Sequence, residues 1–169
     1  MNRVRTDPAE LMLRHASNGV LIDANLLLLL VVGAHDRRLV STFKRLSVFA
    51  PEDFDTLVAV AQHFRSVLVT PHVLTEVSNL AGSLPGNVKE KCFRSFAVAI
   101  ETFIEVMIPS RDASREASFL RFGLTDASIV RAASRSVLVL TMDFALAQYL
   151  ESIQLAVINF NHIRYLNWR

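Results

Sequence analysis

Residues 19–25 read Gly19-Val20-Leu21-Ile22-Asp23-Ala24-Asn25, and an unbroken apolar run follows over residues 26–32. A short continuous run of branched apolar residues is typical of a parallel strand that is buried on both faces. The second run is apolar on nearly every side of a helical wheel, which predicts a buried helix over 24–33. Asp23 thus falls between a strand and a helix, at the end of the sheet where ligands bind in open α/β folds.

The remainder of the chain alternates between strand and helix patterns. We predict further strands at 66–70, 136–141 and 155–160, and further helices at 8–16, 51–64, 71–80, 87–108, 111–121, 124–134 and 144–152, with a weaker helical pattern over 37–50. Strands that alternate with helices pair in parallel through right-handed crossovers. The expected fold is therefore α/β, a three-layer α/β/α sandwich with a parallel sheet of four or five strands. It forms a single domain over 1–169, with a helical extension at 1–18 and a tail at 161–169.

Composition indicates a globular protein, since 51% of the 169 residues are hydrophobic and 20% are charged. The single cysteine, Cys92, excludes an internal disulfide and suits a reducing compartment. The run over 26–32 is much shorter than the roughly 20 residues of a membrane-spanning helix, and the charged N-terminus lacks the layout of a signal peptide. We expect a cytoplasmic protein that does not contact a membrane.

The charge balance permits a nucleic-acid partner without establishing one. The formal net charge is +2, and fifteen of the 18 basic residues are arginine, which suits bidentate contacts with phosphate. Arg131 and Arg135 share one face of a predicted helix and are candidates for RNA phosphate contacts, although a solvated face is the commoner explanation of such a pair.

Four acidic residues from separate elements are expected at one edge of the sheet. Asp23 and Asp143 each follow a strand, and Glu76 lies about one and a half turns into the helix after the second strand. Asp126 opens a crossover helix, which runs antiparallel to the strands and so begins at the same edge. Four carboxylates would repel one another unless a cation neutralises them, and oxygen ligands suit Mg²⁺ or Mn²⁺. The set predicts a metal site.

Each of these acids also has a simpler explanation. Asp23, Asp126 and Asp143 all lie at predicted helix starts, and each taken singly is better explained as a helix cap. Glu76 lies at the edge of an apolar stripe, where a carboxylate is costly without a partner, and no cation is its neighbour on that helix. The set of four is therefore more specific than any of its members.

Other kinds of catalytic site lack their motifs. The sequence contains no glycine-rich nucleotide-binding loop and no G-x-S-x-G elbow. The five histidines show no metal-ligand spacing and are expected to be incidental; they are His15, His35, His63, His72 and His162.

The sequence motifs around the four acids resemble those of a known family. Four segments occur in the order and contexts of PIN-domain ribonucleases, a family that includes the VapC-type toxins of bacterial toxin–antitoxin pairs. They are Val20-Leu21-Ile22-Asp23-Ala24-Asn25, Val73-Leu74-Thr75-Glu76-Val77, Leu124-Thr125-Asp126-Ala127 and Leu140-Thr141-Met142-Asp143. The resemblance covers about residues 19–160. A helix around 53–64 and the N-terminal helix distinguish the chain from the compact toxins.

The resemblance implies a PIN-like, metal-dependent endoribonuclease. Its carboxylates Asp23, Glu76, Asp126 and Asp143 would bind one or two Mg²⁺ or Mn²⁺ ions, and a metal-activated water would hydrolyse an RNA phosphodiester. Asn25 and Thr141 resemble the polar residues that support the first and the fourth acid. Family members commonly form homodimers, and the toxins bind an antitoxin, so the expected partners are RNA, an antitoxin and a second copy.

Two alternatives remain open from the sequence. The first is a catalytically idle PIN-like binding module that acts through protein or RNA contacts, with the acids serving as helix caps. The second is a nuclease on a related fold that acts on DNA.

Overall fold

A computed structural model describes residues 7–134 and 136–164 of the chain. These residues form an all-parallel five-stranded sheet in the order β3-β2-β1-β4-β5, with helices packed around it. The strands are β1 (Val20–Ile22), β2 (Val67–Val69), β3 (Ile104–Glu105), β4 (Leu138–Thr141) and β5 (Val157–Asn159). The arrangement confirms the predicted α/β/α class with a parallel sheet.

The helices begin at residues that the sequence marks as helix starts. Asp7 caps the first helix by accepting a hydrogen bond from the Ala9 amide at 3.1 Å, and proline occupies the first turn of three helices. The helices are α1 (Pro8–His15), α2 (Ala24–His35), α3 (Leu39–Thr42), α4 (Pro51–His63), α5 (Pro71–Ala81), α6 (Gly86–Thr102), α7 (Ser110–Ala113), α8 (Phe119–Ala132) and α9 (Phe144–Ser152), with 3₁₀ turns at Lys44–Leu46 and Phe160–His162.

The strand order creates a crevice beside β1. From β1 the chain moves outward through β2 to β3, and it then returns to the other side of β1 to form β4 and β5. The direction of strand addition therefore reverses between β1 and β4, and in such sheets the crevice at the carboxyl ends of these strands receives the ligand. Asp23 directly follows β1, and a single residue separates Asp143 from the end of β4, so both acids lie at this crevice.

Buried polar side chains gather at the carboxyl edge of the sheet. Four of them lie at the ends of four different strands, namely Asp23, Thr70, Thr141 and Asn159. The centre of the sheet is apolar and inaccessible, with all three residues of β1 fully buried, and most of the α2 helix is buried as well. Because a buried polar group costs free energy unless it is hydrogen-bonded, this distribution sets the edge apart from the core.

The predicted helix over 87–108 was wrong at its end. The α6 helix stops at Thr102, Phe103 has extended dihedrals, and Ile104–Glu105 forms the edge strand β3. The amide of Val106 donates to the carbonyl of Val69 at 2.8 Å, a sheet bond that replaces a helical one. The apparent stripe was misleading because Ile104 is 52% exposed and Met107 is 71% exposed.

Two other predicted helices are shorter than expected. The 37–50 segment contains only the α3 helix and a 3₁₀ turn, and the predicted helix over 111–121 reduces to α7 and the start of α8. Gly123 interrupts α8 with a φ of 79°, which a glycine adopts without steric cost. The predicted helix over 124–134 corresponds to the part of α8 after this kink. None of the helices in the described ranges combines the length and the apolar character needed to cross a bilayer.

Candidate metal centre at the carboxyl edge of the sheet

Asp23 is buried, with 4% of its surface exposed, and is fixed by three hydrogen bonds. Its Oδ1 atom accepts from the amide of Leu26 at 2.9 Å, which caps α2. Its Oδ2 atom accepts from the amide of Met142 at 3.0 Å and from the hydroxyl of Thr141. Burial raises the pKa of Asp23, and these hydrogen bonds partly offset that effect. The residue is therefore both a helix cap and a link from β1 to β4.

Thr141 positions two acids at once. Its buried hydroxyl donates to Asp23 and accepts from the amide of Asp143 at 3.0 Å. The exposed Asp143 in turn caps α9, since its Oδ1 atom accepts from the amide of Leu146 at 2.9 Å. Its Oδ2 atom accepts no hydrogen bond from other described residues. The predicted supporting contact between Thr141 and the acids is thus present as a hydrogen bond.

Asp126 lies on α8, shortly after the kink, and is half-buried. Its pKa is raised to about 7, first by burial and then by repulsion from the carboxylates of Asp23, Asp143 and Glu76. Repulsion of this kind requires the three acids to lie within electrostatic range of Asp126. The fold therefore gathers the four predicted acids into one region.

Glu76 is half-buried on α5 and lines an open cleft of about 420 Å³. Thr125, the neighbour of Asp126, lines the same cleft, so the cleft adjoins the acidic region. Within residues 7–134 and 136–164, the side chains of Glu76 and Asp126 take part in no hydrogen bond or ion pair. No hydrogen bond among the described residues fixes these two carboxylates, whereas Asp23 and Asp143 are held by their helix caps.

The four acids do not form a ready metal shell. Among the described residues, no group of three or more histidine, cysteine, aspartate or glutamate side chains is arranged to hold a metal ion. Asp23 and Asp143 use oxygens for helix capping, as the simpler explanation predicts. A shared cation would require Glu76 and Asp126 to turn toward Asp23, so the metal site remains a prediction.

The other predicted site residues have different surroundings. Asn25 is exposed on the first turn of α2, and its side chain forms no hydrogen bond in the described part of the chain. Arg131 makes an ion pair with Glu116 at 3.2 Å. Arg135 lies outside the described residues.

A second hydroxyl link was missed at the sequence level. The hydroxyls of Thr70 and Ser128 are 2.8 Å apart, and both residues are fully buried. Thr70 also caps α5 by accepting from the Val73 amide, so this pair ties α5, which carries Glu76, to α8, which carries Asp126. The signal was present, because Val67-Leu68-Val69-Thr70 repeats the pattern of Leu138-Val139-Leu140-Thr141.

A histidine and a serine at the cleft were also missed. The Nε2 atom of His72 lies 2.9 Å from the hydroxyl of Ser110, and both residues line the cleft with Glu76. On α5, His72, Thr75, Glu76 and Asn79 follow the spacing of one helix face, and all four line the cleft. This polar stripe is visible in the sequence, although His72 was expected to be incidental.

Comparisons with models of known protein families, with curated proteins and with solved structures find no match to this chain. The geometry of this edge and the motif resemblance are therefore what supports a function for this chain.

Proposed function

We propose that this chain is a PIN-like endoribonuclease that depends on Mg²⁺ or Mn²⁺. The single observation that carries the proposal is the convergence of four carboxylates, from four separate elements, at the switch point of a parallel sheet. Helix capping explains Asp23 and Asp143, but it does not explain why Glu76 and Asp126 lie half-buried near them with no hydrogen-bond partner among residues 7–134 and 136–164. An isolated carboxylate in such surroundings is costly, and a cation would remove the cost.

The donor set fits a hard divalent cation. Asp23, Glu76, Asp126 and Asp143 offer carboxylate oxygens, with no thiolate or imidazole among them, which favours Mg²⁺ or Mn²⁺ over zinc. Each carboxylate oxygen has two lone pairs, so Oδ1 of Asp23 can still coordinate a cation while it caps α2. The side chains of Glu76 and Asp126 would complete the site by rotation. When bound, such cations supply Lewis acidity at the phosphodiester and lower the pKa of the attacking water.

The residues of the chain have distinct roles in this proposal. The Thr141 hydroxyl orients Asp23 and, through the Asp143 amide, fixes the start of α9. The pair of Thr70 and Ser128 holds α5 and α8 together, which keeps Glu76 near Asp126. Both links are buried hydroxyls, which resist exchange with solvent and keep the edge rigid.

Exposed arginines beside the cleft support a polyanionic substrate. Arg111, Arg115 and Arg121 are exposed in the segment that leads from β3 into α8, and they form no ion pair with other described residues. Ser110 of the cleft immediately precedes Arg111. Contacts from such arginines to phosphates would position a nucleic acid without reading its sequence. The choice of RNA over DNA comes from the family resemblance.

The decisive variant is Asp126→Asn. The Asp126 side chain accepts no hydrogen bond from the described residues, so this change removes the negative charge with little effect on folding. We expect it to abolish Mn²⁺-dependent cleavage of a single-stranded RNA while leaving the thermal unfolding transition in place. The matched control is Glu151→Gln, an exposed acid near the far end of α9, which should retain full activity.

Retention of cleavage by the Asp126 variant, with contaminating ribonuclease excluded, would contradict the proposal. Asp23→Asn is a less clean test than the sequence suggested. The amide nitrogen of the new asparagine would face a hydrogen-bond donor in either orientation: the Leu26 amide on one side, or the Thr141 hydroxyl and the Met142 amide on the other. The variant would therefore lose stability as well as charge.

A catalytically idle binding module is the second candidate, and the helix caps made by Asp23 and Asp143 favour it. Calorimetric titration with Mn²⁺ separates the two candidates, because a module whose acids only cap helices would bind no metal at millimolar concentration. Cleavage of DNA in preference to RNA of the same sequence would identify the other alternative. The toxin role, an antitoxin, homodimer formation and a cytoplasmic location remain predictions.

A further inference from the structure

We propose that the cleft formed by α5 and Ser110 binds the base of a nucleotide next to the scissile phosphate, with His72 and Ser110 determining base preference. This inference rests on the proposed function, since it assigns a substrate subsite beside the acids. It names residues that the motif resemblance leaves without a role.

The position and size of the cleft suit one nucleotide. Its volume of about 420 Å³ lies at the low end of the range for small-ligand pockets, and it is too small for a helix of a protein partner. Glu76 belongs both to this cleft and to the acidic region, and Thr125 lies next to Asp126. A base held here would therefore leave its phosphate at the carboxylates.

The lining combines unused hydrogen-bonding groups with apolar side chains. The exposed side chains of Thr75 and Asn79 form no hydrogen bond in the described ranges, and both line the cleft. Pro71 and Leu124 supply apolar surface against which a base can pack. A hydroxyl, an amide and apolar surface in one cleft are suited to the edge and the face of an unpaired base.

The hydrogen bond between His72 and Ser110 predicts which bases the cleft prefers. The Nδ1 atom of His72 is buried and has no hydrogen-bond partner in the described part of the chain. Since a buried N–H without an acceptor is rarer in proteins than an unused lone pair, the ring proton is assigned to Nε2, which donates to Ser110. The Ser110 hydroxyl then keeps its own hydrogen for the ligand. The base it meets must present an acceptor to this hydroxyl. Uracil, guanine and cytosine offer a carbonyl oxygen that projects from the ring, whereas adenine offers only ring nitrogens, which lie closer to the centre of the base, so we expect adenine to bind most weakly.

The test uses binding without catalysis, so that it does not depend on nuclease activity. Adenosine, cytidine, guanosine and uridine, which carry no phosphate that the carboxylates would repel, are titrated into the whole ¹⁵N-labelled chain in the presence of EDTA, and amide shifts are followed by NMR. We expect shifts at residues 72–79, 110–111 and 124–125, with adenosine the weakest ligand. Ser110→Ala should weaken binding of the other three by about three- to tenfold, and Ser110→Thr, which keeps the hydroxyl, should not.

The chain contains a matched control for the pair. His35 and Ser95 form a second histidine–serine contact of 3.1 Å, with similar exposure, at the opposite end of α2 from Asp23. Ser95→Ala should leave both the shifts and the affinity unchanged. Shifts confined to other residues, equal binding of all four nucleosides, or full affinity in Ser110→Ala would each overturn the inference.

The same variants separate this inference from the proposed function. Ser110→Ala should change the ratio of Mn²⁺-dependent cleavage rates between RNAs that differ in the base next to the cut site, whereas Ser95→Ala should leave both the rates and their ratio unchanged. If Ser110→Ala cuts RNA with unchanged preference, the cleft assignment fails while the nuclease proposal stands. If the wild-type chain neither binds Mn²⁺ nor cleaves RNA, the nuclease proposal fails regardless of the NMR result.

Discussion

Thr141 shows how much of the candidate site depends on one hydroxyl. It lies at the end of β4, and it bonds both the carboxylate that follows β1 and the amide that begins α9. Thr70 has the same place at the end of β2 and bonds Ser128 of α8. At both strand ends a buried threonine hydroxyl couples a strand to an acid-bearing element, which explains why these positions are polar within an otherwise apolar core.

Thr141→Val should destabilise the fold by about 1–3 kcal/mol, because it removes one of the three hydrogen bonds to the buried Asp23 carboxylate and the side-chain acceptor of the Asp143 amide. Equilibrium denaturant unfolding at pH 7 measures the change. Thr141→Ser should recover most of the loss. Thr56→Val is the control, since the Thr56 hydroxyl bonds only within its own helix, at the Glu52 carbonyl. Equal unfolding midpoints for Thr141→Val and the wild type would show that the link carries no stability.

The raised pKa of Asp126 makes stability depend on pH in a defined direction. Its folded-state value of about 7 lies above the ordinary value of 3.8, so the folded chain binds the proton more tightly than the unfolded chain. The free energy of unfolding should therefore fall as pH rises from about 4 to 7, and the raised pKa of Asp23 acts in the same direction.

Asp126→Asn should remove the part of this loss that Asp126 contributes. At pH 8 without divalent metal we expect the variant to be more stable than the wild type by about 1–2 kcal/mol, after allowance for solvent screening of a half-buried group. At pH 4 the two should unfold at the same denaturant concentration. A constant difference across this pH range would contradict the assigned repulsion.

At the level of elements, the predictions succeeded where a pattern is local. The α1, α5 and α9 helices begin at the predicted residues, because Asp7, Pro71 and Asp143 act within one turn of their own helix. The residues 104–105 were predicted as helix because their spacing continues that of α6. They form a strand because the backbone N–H and C=O groups on the free edge of β2 need hydrogen-bond partners, and β3 supplies them.

Gly33 lies where the α2 helix packs closely against the α4 helix. A Cβ atom at this position would clash with the ring of Phe54, which packs against the helix there. We expect Gly33→Ala to destabilise the chain by about 1–3 kcal/mol despite the better helix propensity of alanine. Gly86→Ala is the control: an added Cβ meets nothing within 4 Å, so the change should be neutral or stabilising by up to about 1 kcal/mol. Thermal unfolding of both variants measures the contrast.

At the scale of the whole molecule, the strand order brings the site together. Asp23 and Thr141 are 118 residues apart in the sequence and adjacent in space because β1 pairs with β4. The α5 and α8 helices pack against each other and bring Glu76 and Asp126 to the same edge. The acids come from four elements, so the proposed metal site would assemble only when the sheet is complete.

Metal binding by the assembled site should depend on pH. Below pH 7 a proton on Asp126 must leave before its carboxylate can coordinate Mn²⁺, so affinity should rise by about tenfold between pH 6 and pH 8. Isothermal titration at pH 6 in two buffers with different ionisation enthalpies should detect release of about one proton per site. Binding that is independent of pH would exclude Asp126 as a ligand.

The sequence by itself determined the α/β class, the starts of several helices and the places of Asp23 and Asp143 after their strands. These depend on apolar runs and capping residues that act over a few neighbours. Only the tertiary structure decided that Ile104–Glu105 is an edge strand, that Thr141 and Ser128 link separate elements, and that His72 meets Ser110 beside Glu76. The physical reason is that hydrogen bonds and electrostatic repulsion between distant segments depend on strand order and helix packing, which no local pattern encodes.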